Sequence, residues 1–147
     1  MPQIRAATLD DADAIAGLCA QLGYPTTGPL SAVRLTAVLR STGDAVFVAC
    51  LSDGLVVGWV HVFLALRIES NTFAELGGFV VAETHRGRGI GRALLVAAEQ
   101  WGVEQGVFKL RVRTRSGRVE ARAFYERLGF ELIKEQHIYD KGLGPST

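Results

Sequence analysis

Cysteine is scarce in this sequence, which contains only Cys19 and Cys50. Two thiols are too few to hold a chain of 147 residues in a disulfide scaffold, and neither has metal-ligand spacing with the three histidines. Both lie in apolar patterns, which favours buried structural thiols over reactive ones. The sequence therefore predicts neither a disulfide framework nor a metal site.

Long apolar runs and an excess of charge of one sign are also missing. No run reaches the length of a membrane span, and the amino terminus has no basic-then-apolar signal segment. The formal net charge of +1 excludes binding to nucleic acid or membranes through the charge of the protein as a whole. With 48% hydrophobic residues, residues 1–147 are expected to form one cytoplasmic domain with its core at about 4–141.

Hydrophobic periodicity predicts strands and helices that alternate along the chain. Strands are predicted at residues 4–7, 45–51, 55–66, 71–81 and 109–114, with one or two more in 130–141. Helices are predicted at 9–22, 30–39, 89–106 and 118–128, and residues 24–29 have the composition of a loop. This alternation predicts an α/β fold with a mixed sheet.

A stretch dense in glycine and arginine, residues 86–92, joins a predicted strand to a predicted helix. The first N–H groups of a helix have no partner within it, and the helix dipole adds partial positive charge, so such an end binds phosphates. Glycine lets a phosphate approach those amides, and the arginines add positive charge. The dinucleotide fingerprint fails because Leu94 stands where its last glycine should be, and no Gly-Lys-Ser/Thr triplet occurs. The stretch predicts a phosphate-bearing ligand without identifying it.

Two motifs then give a resemblance. Arg86-Gly87-Arg88-Gly89-Ile90-Gly91 resembles the R/Q-x-x-G-x-G/A acyl-coenzyme A motif of the GNAT family of N-acetyltransferases. Residues 121–130, which read A-R-A-F-Y-E-R-L-G-F, are similar to the A-x-x-F-Y-E-x-L-G-F segment of that family. The resemblance implies a mixed sheet of about six or seven strands with about four helices. It also implies a splay between the two central strands that admits the cofactor's pantetheine arm.

The resemblance further implies an acetyl-coenzyme A-dependent N-acetyltransferase that transfers an acetyl group directly to a primary amine of a small molecule or a protein. Loop amides would bind the pyrophosphate, and the preceding strand would bind the pantetheine arm by strand addition. Many relatives carry an asparagine at position 118, so the arginine found there is expected to approach a phosphate instead, with an ordinary cationic residue at the start of a helix as the alternative. The cofactor-binding residues implied are Val80, Val81, Arg86, Arg88, Gly89, Ile90, Gly91, Arg92 and Arg118.

Acyl transfer needs a deprotonated amine and a proton for the leaving thiolate. The resemblance implies Tyr125 as the acid, with simple aromatic packing beside Phe124 as the alternative. Many relatives carry a glutamate where this chain has Gly77. Glu75 lies two residues earlier on the same strand face, so it is the predicted base, acting through a water, with an ion-paired or exposed carboxylate as the alternative. His61 is predicted to be structural.

The acceptor site is expected at the first two helices, the loop at 23–30 and the turn at 67–71, with Tyr24 and Glu69 as lining residues. Nothing there identifies the acceptor. One alternative function is a non-catalytic coenzyme A-binding regulatory or interaction module, which leaves room for a homodimer through the last strands. A nucleic-acid binder, suggested by the arginines at 111, 113, 115 and 118, ranks third.

Overall fold

The computed structural model describes residues 2–145, and the chain divides into two units, one ending at Val112 and the other beginning at Arg113. The predicted single domain over residues 1–147 stays a prediction. The strands are β1 (Gln3–Ala6), β2 (Asp44–Cys50), β3 (Val56–Ala65), β4 (Phe73–Val81) and β5 (Leu110–Arg111). The helices are α1 (Ala12–Gln21), α2 (Gly28–Arg40) and α3 (Ile90–Glu104) in the first unit and α4 (Val119–Arg127) in the second.

The first unit is built on one mixed sheet whose strand order follows the chain, β1-β2-β3-β4-β5. The first three pairings are antiparallel, and β4 pairs with β5 in parallel. The β4–β5 register joins only Ala74 with Leu110 and Glu75 with Arg111. Residues 76–81 of β4 therefore run on past this pairing, which agrees with the splay that the resemblance implies. The predicted α/β fold with a mixed sheet is confirmed.

The sheet has five strands in the described part of the chain, fewer than the six or seven expected. The strand predicted at 109–114 is only two residues long, and no strand forms in 130–141. A strand needs a neighbour to bond its N–H and C=O groups. Within residues 113–145, α4 is the only helix or strand, so residues 130–141 have no strand partner there.

Helix α2 begins earlier than the pattern predicts, at Gly28 rather than at residue 30. Thr27 caps the helix, because its Oγ1 accepts a hydrogen bond from the Leu30 N–H at 3.2 Å. Pro29 is compatible with the first turn, where its missing N–H would have no partner in any case. Part of the predicted loop at 24–29 is therefore helical.

Helices cover both faces of the sheet. On one face, Leu94 and Ile90 of α3 lie against Gly58 of β3. The next residue, Trp59, points to the opposite face and packs on a core cluster that includes Ile15 of α1. No helix among residues 2–145 is long and apolar enough to cross a membrane. The sheet thus has an α3 face and an α1/α2 face.

A bidentate ion pair joins β1 to the turn that leads into α1. The Arg5 guanidinium donates to both carboxylate oxygens of Asp11 at 2.8 Å, and the Thr8 N–H donates to Asp11 Oδ2, also at 2.8 Å. The Asp11 carboxylate is buried. Its hydrogen bonds with Arg5 hold the pKa of Asp11 below the ordinary aspartate value.

Replacement Asp11→Asn is expected to lower the free energy of unfolding by about 1–2 kcal/mol at pH 7, because it removes the charged acceptor of these hydrogen bonds. A carboxyl whose pKa is depressed by folding stabilises the protein above its unfolded pKa and loses that effect as pH falls. The deficit should therefore shrink below about pH 4. Urea unfolding at pH 7 and pH 3 measures it. The neighbouring replacement Asp10→Asn is the control, and an equal deficit at both pH values would contradict the expectation.

Candidate active site

The connection from β4 to α3 is a short turn that depends on glycine. After one turn of 3-10 helix at Glu83–His85, the backbone reaches Gly87 with φ +76° and Gly89 with φ +82°. These angles lie in the left-handed region that glycine favours. Gly89 is the N-cap of α3, so the first N–H groups of this 15-residue helix begin directly after it.

The charges around this helix end have different roles. Arg88 and Arg92 are exposed, as expected of groups that attract an anion. The Arg86 Nε instead donates to the Val81 carbonyl at 3.1 Å, which fastens the turn to the end of β4. Ile90 is 2% exposed, so only its amide can face a ligand. The result is a cradle of backbone amides with two exposed cationic side chains, suited to a phosphate group.

Strand β4 is irregular just before this turn. The register between β3 and β4 slips, so that His61 faces Gly78 while Val62 faces Leu76. Gly77 is the extra residue of this β-bulge. A Cβ at Gly77 would overlap the His61 imidazole, and a Cβ at Gly78 would lie 2.7 Å from Cζ3 of Trp59. The two rings cover the glycines, and a side chain at either position would collide with them.

The His61 ring is held by a carboxylate from the next strand. His61 Nε2 lies 2.7 Å from Oδ1 of Asp44 on β2, and both side chains are about one-fifth exposed, at 22% and 23%. Phe63 lies on the same face, with its ring centroid 5.8 Å from that of His61. Nearby, the buried Nε1 of Trp59 has no acceptor among the described residues. A hydrogen-bonded imidazole and an indole whose N–H has no acceptor among the described residues thus both pack against the bulge.

Glu75, the predicted base, is buried on this same face. It lies opposite Phe63 of β3 and Arg111 of β5, and only 7% of its surface is exposed. The prediction that it shares a strand face with Gly77 agrees with the geometry, since both point toward β3 side chains of the His61 face. Sequence reasoning did not single out Asp44, because only the β2–β3 register brings it to His61.

In the second unit, Tyr125 of α4 lies between two aromatic rings. Its ring meets Phe124 and Phe130 edge-on, at centroid distances of 5.3 and 5.5 Å. Burial raises the pKa of the Tyr125 phenol, and the positive charge of Arg118 acts in the opposite direction. The phenol is therefore protonated at neutral pH and able to donate a proton. Arg118 directly precedes α4, and its carbonyl accepts from the Arg122 N–H.

A surface depression of about 410 Å³ lies where α1 and α2 begin. It includes part of the loop expected to bind the acceptor, namely Gly28 and Pro29, together with the carboxylates of Asp10 and Asp13. Tyr24, predicted as a lining residue, is 70% exposed and does not line this depression, and Glu69 is exposed as well. The depression is acidic in a protein of nearly neutral net charge.

Comparison with known proteins places this geometry in a family. The model of the acetyltransferase (GNAT) family matches residues 16–130. An aminoglycoside N(6′)-acetyltransferase type 1 of Stenotrophomonas maltophilia is 36% identical over 99% of this chain and 97% of its own length. A mycothiol acetyltransferase of Corynebacterium aurimucosum is 36% identical over a shorter region, 50% of this chain and 24% of that protein.

Solved structures share the fold. The aminoglycoside N-acetyltransferase AAC(6′)-Iy in complex with coenzyme A superposes with a TM-score of 0.85 and is 22% identical, with 96% of this chain and 95% of that chain covered. A protein from Bacillus halodurans C-125 described as a transcriptional regulator has a TM-score of 0.83 and 25% identity, over 96% and 100% of the two chains. The arrangement of strands and helices in this chain is thus that of known acetyltransferase structures.

Replacement Gly77→Ala is expected to lower the free energy of unfolding by about 1–3 kcal/mol, because the new Cβ overlaps the His61 ring and forces it from Asp44. Strand propensity alone predicts the opposite sign, since alanine costs less backbone entropy than glycine. The control is Gly17→Ala in α1, where nothing lies within 4 Å of the new Cβ and a gain of about 0.5–1 kcal/mol is expected. Thermal unfolding of the parent, Gly77→Ala and Gly17→Ala measures the change in stability. A stabilised Gly77→Ala protein would show that the His61 ring moves freely.

Proposed function

Because the chain belongs to the acetyltransferase (GNAT) family and is an acetyl-coenzyme A-dependent N-acetyltransferase, we propose that its acceptor is a primary amine of an aminoglycoside-like small molecule. The observation that carries this proposal is the 36% identity with an aminoglycoside N(6′)-acetyltransferase, which extends over 99% of the chain. Such an acceptor carries several ammonium groups. The carboxylates of Asp10 and Asp13 at the depression near α2 have the complementary charge.

The cofactor's pyrophosphate is proposed to bind at the amino end of α3. The amides of Gly89, Ile90, Gly91 and Arg92 supply donors there, and Arg88 and Arg92 supply positive charge. The backbone of Val80 and Val81 is proposed to bind the pantetheine arm where β4 runs past its pairing with β5. Arg86 contributes by fixing the turn through the Val81 carbonyl, and Arg118 is proposed to approach a phosphate.

The chemistry is direct transfer. The amine nitrogen attacks the thioester carbonyl, the C–N bond forms and the C–S bond breaks, and the thiolate leaves with the electron pair. Tyr125, whose phenol is protonated at neutral pH, is proposed to give the thiolate its proton. The ammonium form of the acceptor must first lose a proton to a base, for which the sequence predicts Glu75 acting through a water.

The non-catalytic module is not favoured, since a relative that aligns along 99% of the chain is an acetyltransferase. A cytoplasmic location and a homodimer stay predictions from the sequence.

The acceptor class is tested with neomycin and paromomycin, two aminoglycosides that differ by an amine or a hydroxyl at the 6′ carbon. With acetyl-coenzyme A present, we expect thiol release with neomycin and a rate lower by at least about 100-fold with paromomycin, because paromomycin has no amine at the 6′ carbon and its hydroxyl is a weaker nucleophile toward the thioester. Mass spectrometry of the product checks for one added acetyl group. Equal rates with both compounds would contradict transfer to the 6′ amine, and no thiol release with either would contradict the acceptor class.

Cofactor binding and catalysis are separated by two variants. Tyr125→Phe is expected to lower kcat by about 100-fold while coenzyme A binds as tightly as in the parent, because only the proton donor is lost. Gly91→Asp is expected to weaken coenzyme A binding by more than about 10-fold through charge repulsion. An acid in the first turn favours the helix itself, so the fold is kept.

Isothermal titration with coenzyme A and steady-state kinetics measure the two effects, with Gly91→Ala as the uncharged control. If the Gly91→Asp protein binds coenzyme A as tightly as the parent, the phosphate does not bind at the amino end of α3. If Tyr125→Phe turns over as fast as the parent, the phenol of Tyr125 is not the proton donor.

A further inference from the structure

We propose that the proton of the acceptor's ammonium group is taken by His61, with Asp44 holding the imidazole in position. This inference rests on the proposed function, because it concerns the same amine and the same transfer. In this proposal His61, and not Glu75, is the base. The sequence predicts a structural role for His61 and does not point to Asp44.

The hydrogen bond with Asp44 fixes which ring nitrogen is available. An ionised carboxylate can only accept, so the Nε2 that lies 2.7 Å from Asp44 Oδ1 carries the hydrogen. The neutral ring then has its lone pair on Nδ1. Nδ1 is the ring atom nearest to the position of a Cβ on Gly77, so this nitrogen lies beside the glycines of the bulge. The proposed base, on β3, therefore has a defined tautomer, and its acceptor nitrogen lies against strand β4.

The position of the ring suits a group that meets a substrate. His61 faces Gly78, three residues before Val81, where β4 ends and the proposed cofactor cradle begins. Because residues 77 and 78 have no side chains, nothing of β4 beyond its backbone separates the imidazole from a ligand along this strand. The His61 side chain is 22% exposed, whereas Glu75 is 7% exposed and lies farther back, where β4 pairs with β5.

Charges of both signs lie on this face, where the cationic groups of Arg67, Lys109 and Arg111 lie over the ring of Phe73. β2 contributes Asp44 beside the ring, and β4 contributes Glu75 on the same face, next to Arg111 of β5. The carboxylate of Asp44 stabilises the imidazolium that forms when Nδ1 accepts a proton, as a carboxylate does for the histidine of a hydrolase triad. An arriving ammonium is attracted by the carboxylate of Asp44, which is partly exposed.

The step balances without any further reactant. The Nδ1 lone pair of His61 takes one proton from the ammonium, which leaves a neutral amine and an imidazolium. The amine nitrogen attacks the thioester carbonyl, the C–S bond breaks, and the second proton that the nitrogen loses is balanced by the one that the departing thiolate takes up. His61 afterwards releases its proton to solvent, so the net products are the amide, the thiol and one proton.

The test compares three shape-conserving variants, His61→Gln, Asp44→Asn and Glu75→Gln, with neomycin as the acceptor. At pH 7 we expect kcat/KM to fall about 100-fold in His61→Gln and about 10-fold in Asp44→Asn, and to fall by less in Glu75→Gln than in either of these variants. Coenzyme A affinity, measured by titration calorimetry, should be unchanged in all three. A loss in Glu75→Gln as large as that in His61→Gln would overturn the assignment of the base.

The pH profile separates catalysis from a structural role. Without the imidazole, the enzyme depends on amine that is already neutral in solution, and that fraction rises tenfold per pH unit below the amine's pKa. The defect of His61→Gln should therefore shrink from about 100-fold at pH 7 to less than about 10-fold at pH 9. A defect that is the same at every pH would mean that the ring only supports the sheet, and would overturn the proposal.

A spectroscopic measurement keeps the inference testable whatever the acceptor is. Proton–nitrogen correlation spectra of the parent, assigned with His61→Gln, should show the Nε2–H tautomer at pH 7.5, and Asp44→Asn should change the tautomer ratio. If no thiol is released with neomycin, the proposed acceptor is wrong, and the tautomer alone decides the inference. A ring protonated on Nδ1 in its neutral form overturns it.

Discussion

The register slip between β3 and β4 is the feature on which the candidate site depends. One extra residue in β4 puts Gly77 and Gly78 side by side under the rings of His61 and Trp59. Without the slip, successive residues of β4 would alternate between the two faces, and only one of them could lie under a ring. The bulge thus puts two consecutive residues without side chains on the α1/α2 face, and the imidazole and the indole pack over their backbone.

Strand β4 combines this strip with the cofactor cradle in a single element. The strand leaves its pairing with β5 after Glu75, passes the glycines and ends at Val81, whose carbonyl is fastened by Arg86. The chain then enters α3 through the left-handed turn at Gly87 and Gly89. Since the strand is anchored at both ends, a ligand bound at the helix end is held in a fixed relation to the bulge. A rigid connection of this kind is what positions two reacting groups for direct transfer.

Local features were predictable from the sequence, and features that depend on strand register were not. The glycine turn and the start of α3 follow from neighbouring residues, and they lie within one residue of the prediction. The early start of α2 was missed because the capping role of Thr27 is visible only when its hydroxyl is seen to accept from Leu30. The strands expected in 130–141 failed because an apolar alternation does not supply a partner strand.

The pairing of His61 with Asp44 is the clearest feature that depends on strand register and could not be predicted from the sequence. The two residues are 17 positions apart, and they meet because the β2–β3 register sets Asp44 opposite Phe63, next to His61 on the same face. In sequence, His61 lies among apolar residues and has the character of a core histidine. The structure shows why position 77 has no carboxylate, since the imidazole fills the space that a side chain there would need. Under the proposed mechanism, His61 of β3 supplies the proton acceptor that β4 does not carry at position 77.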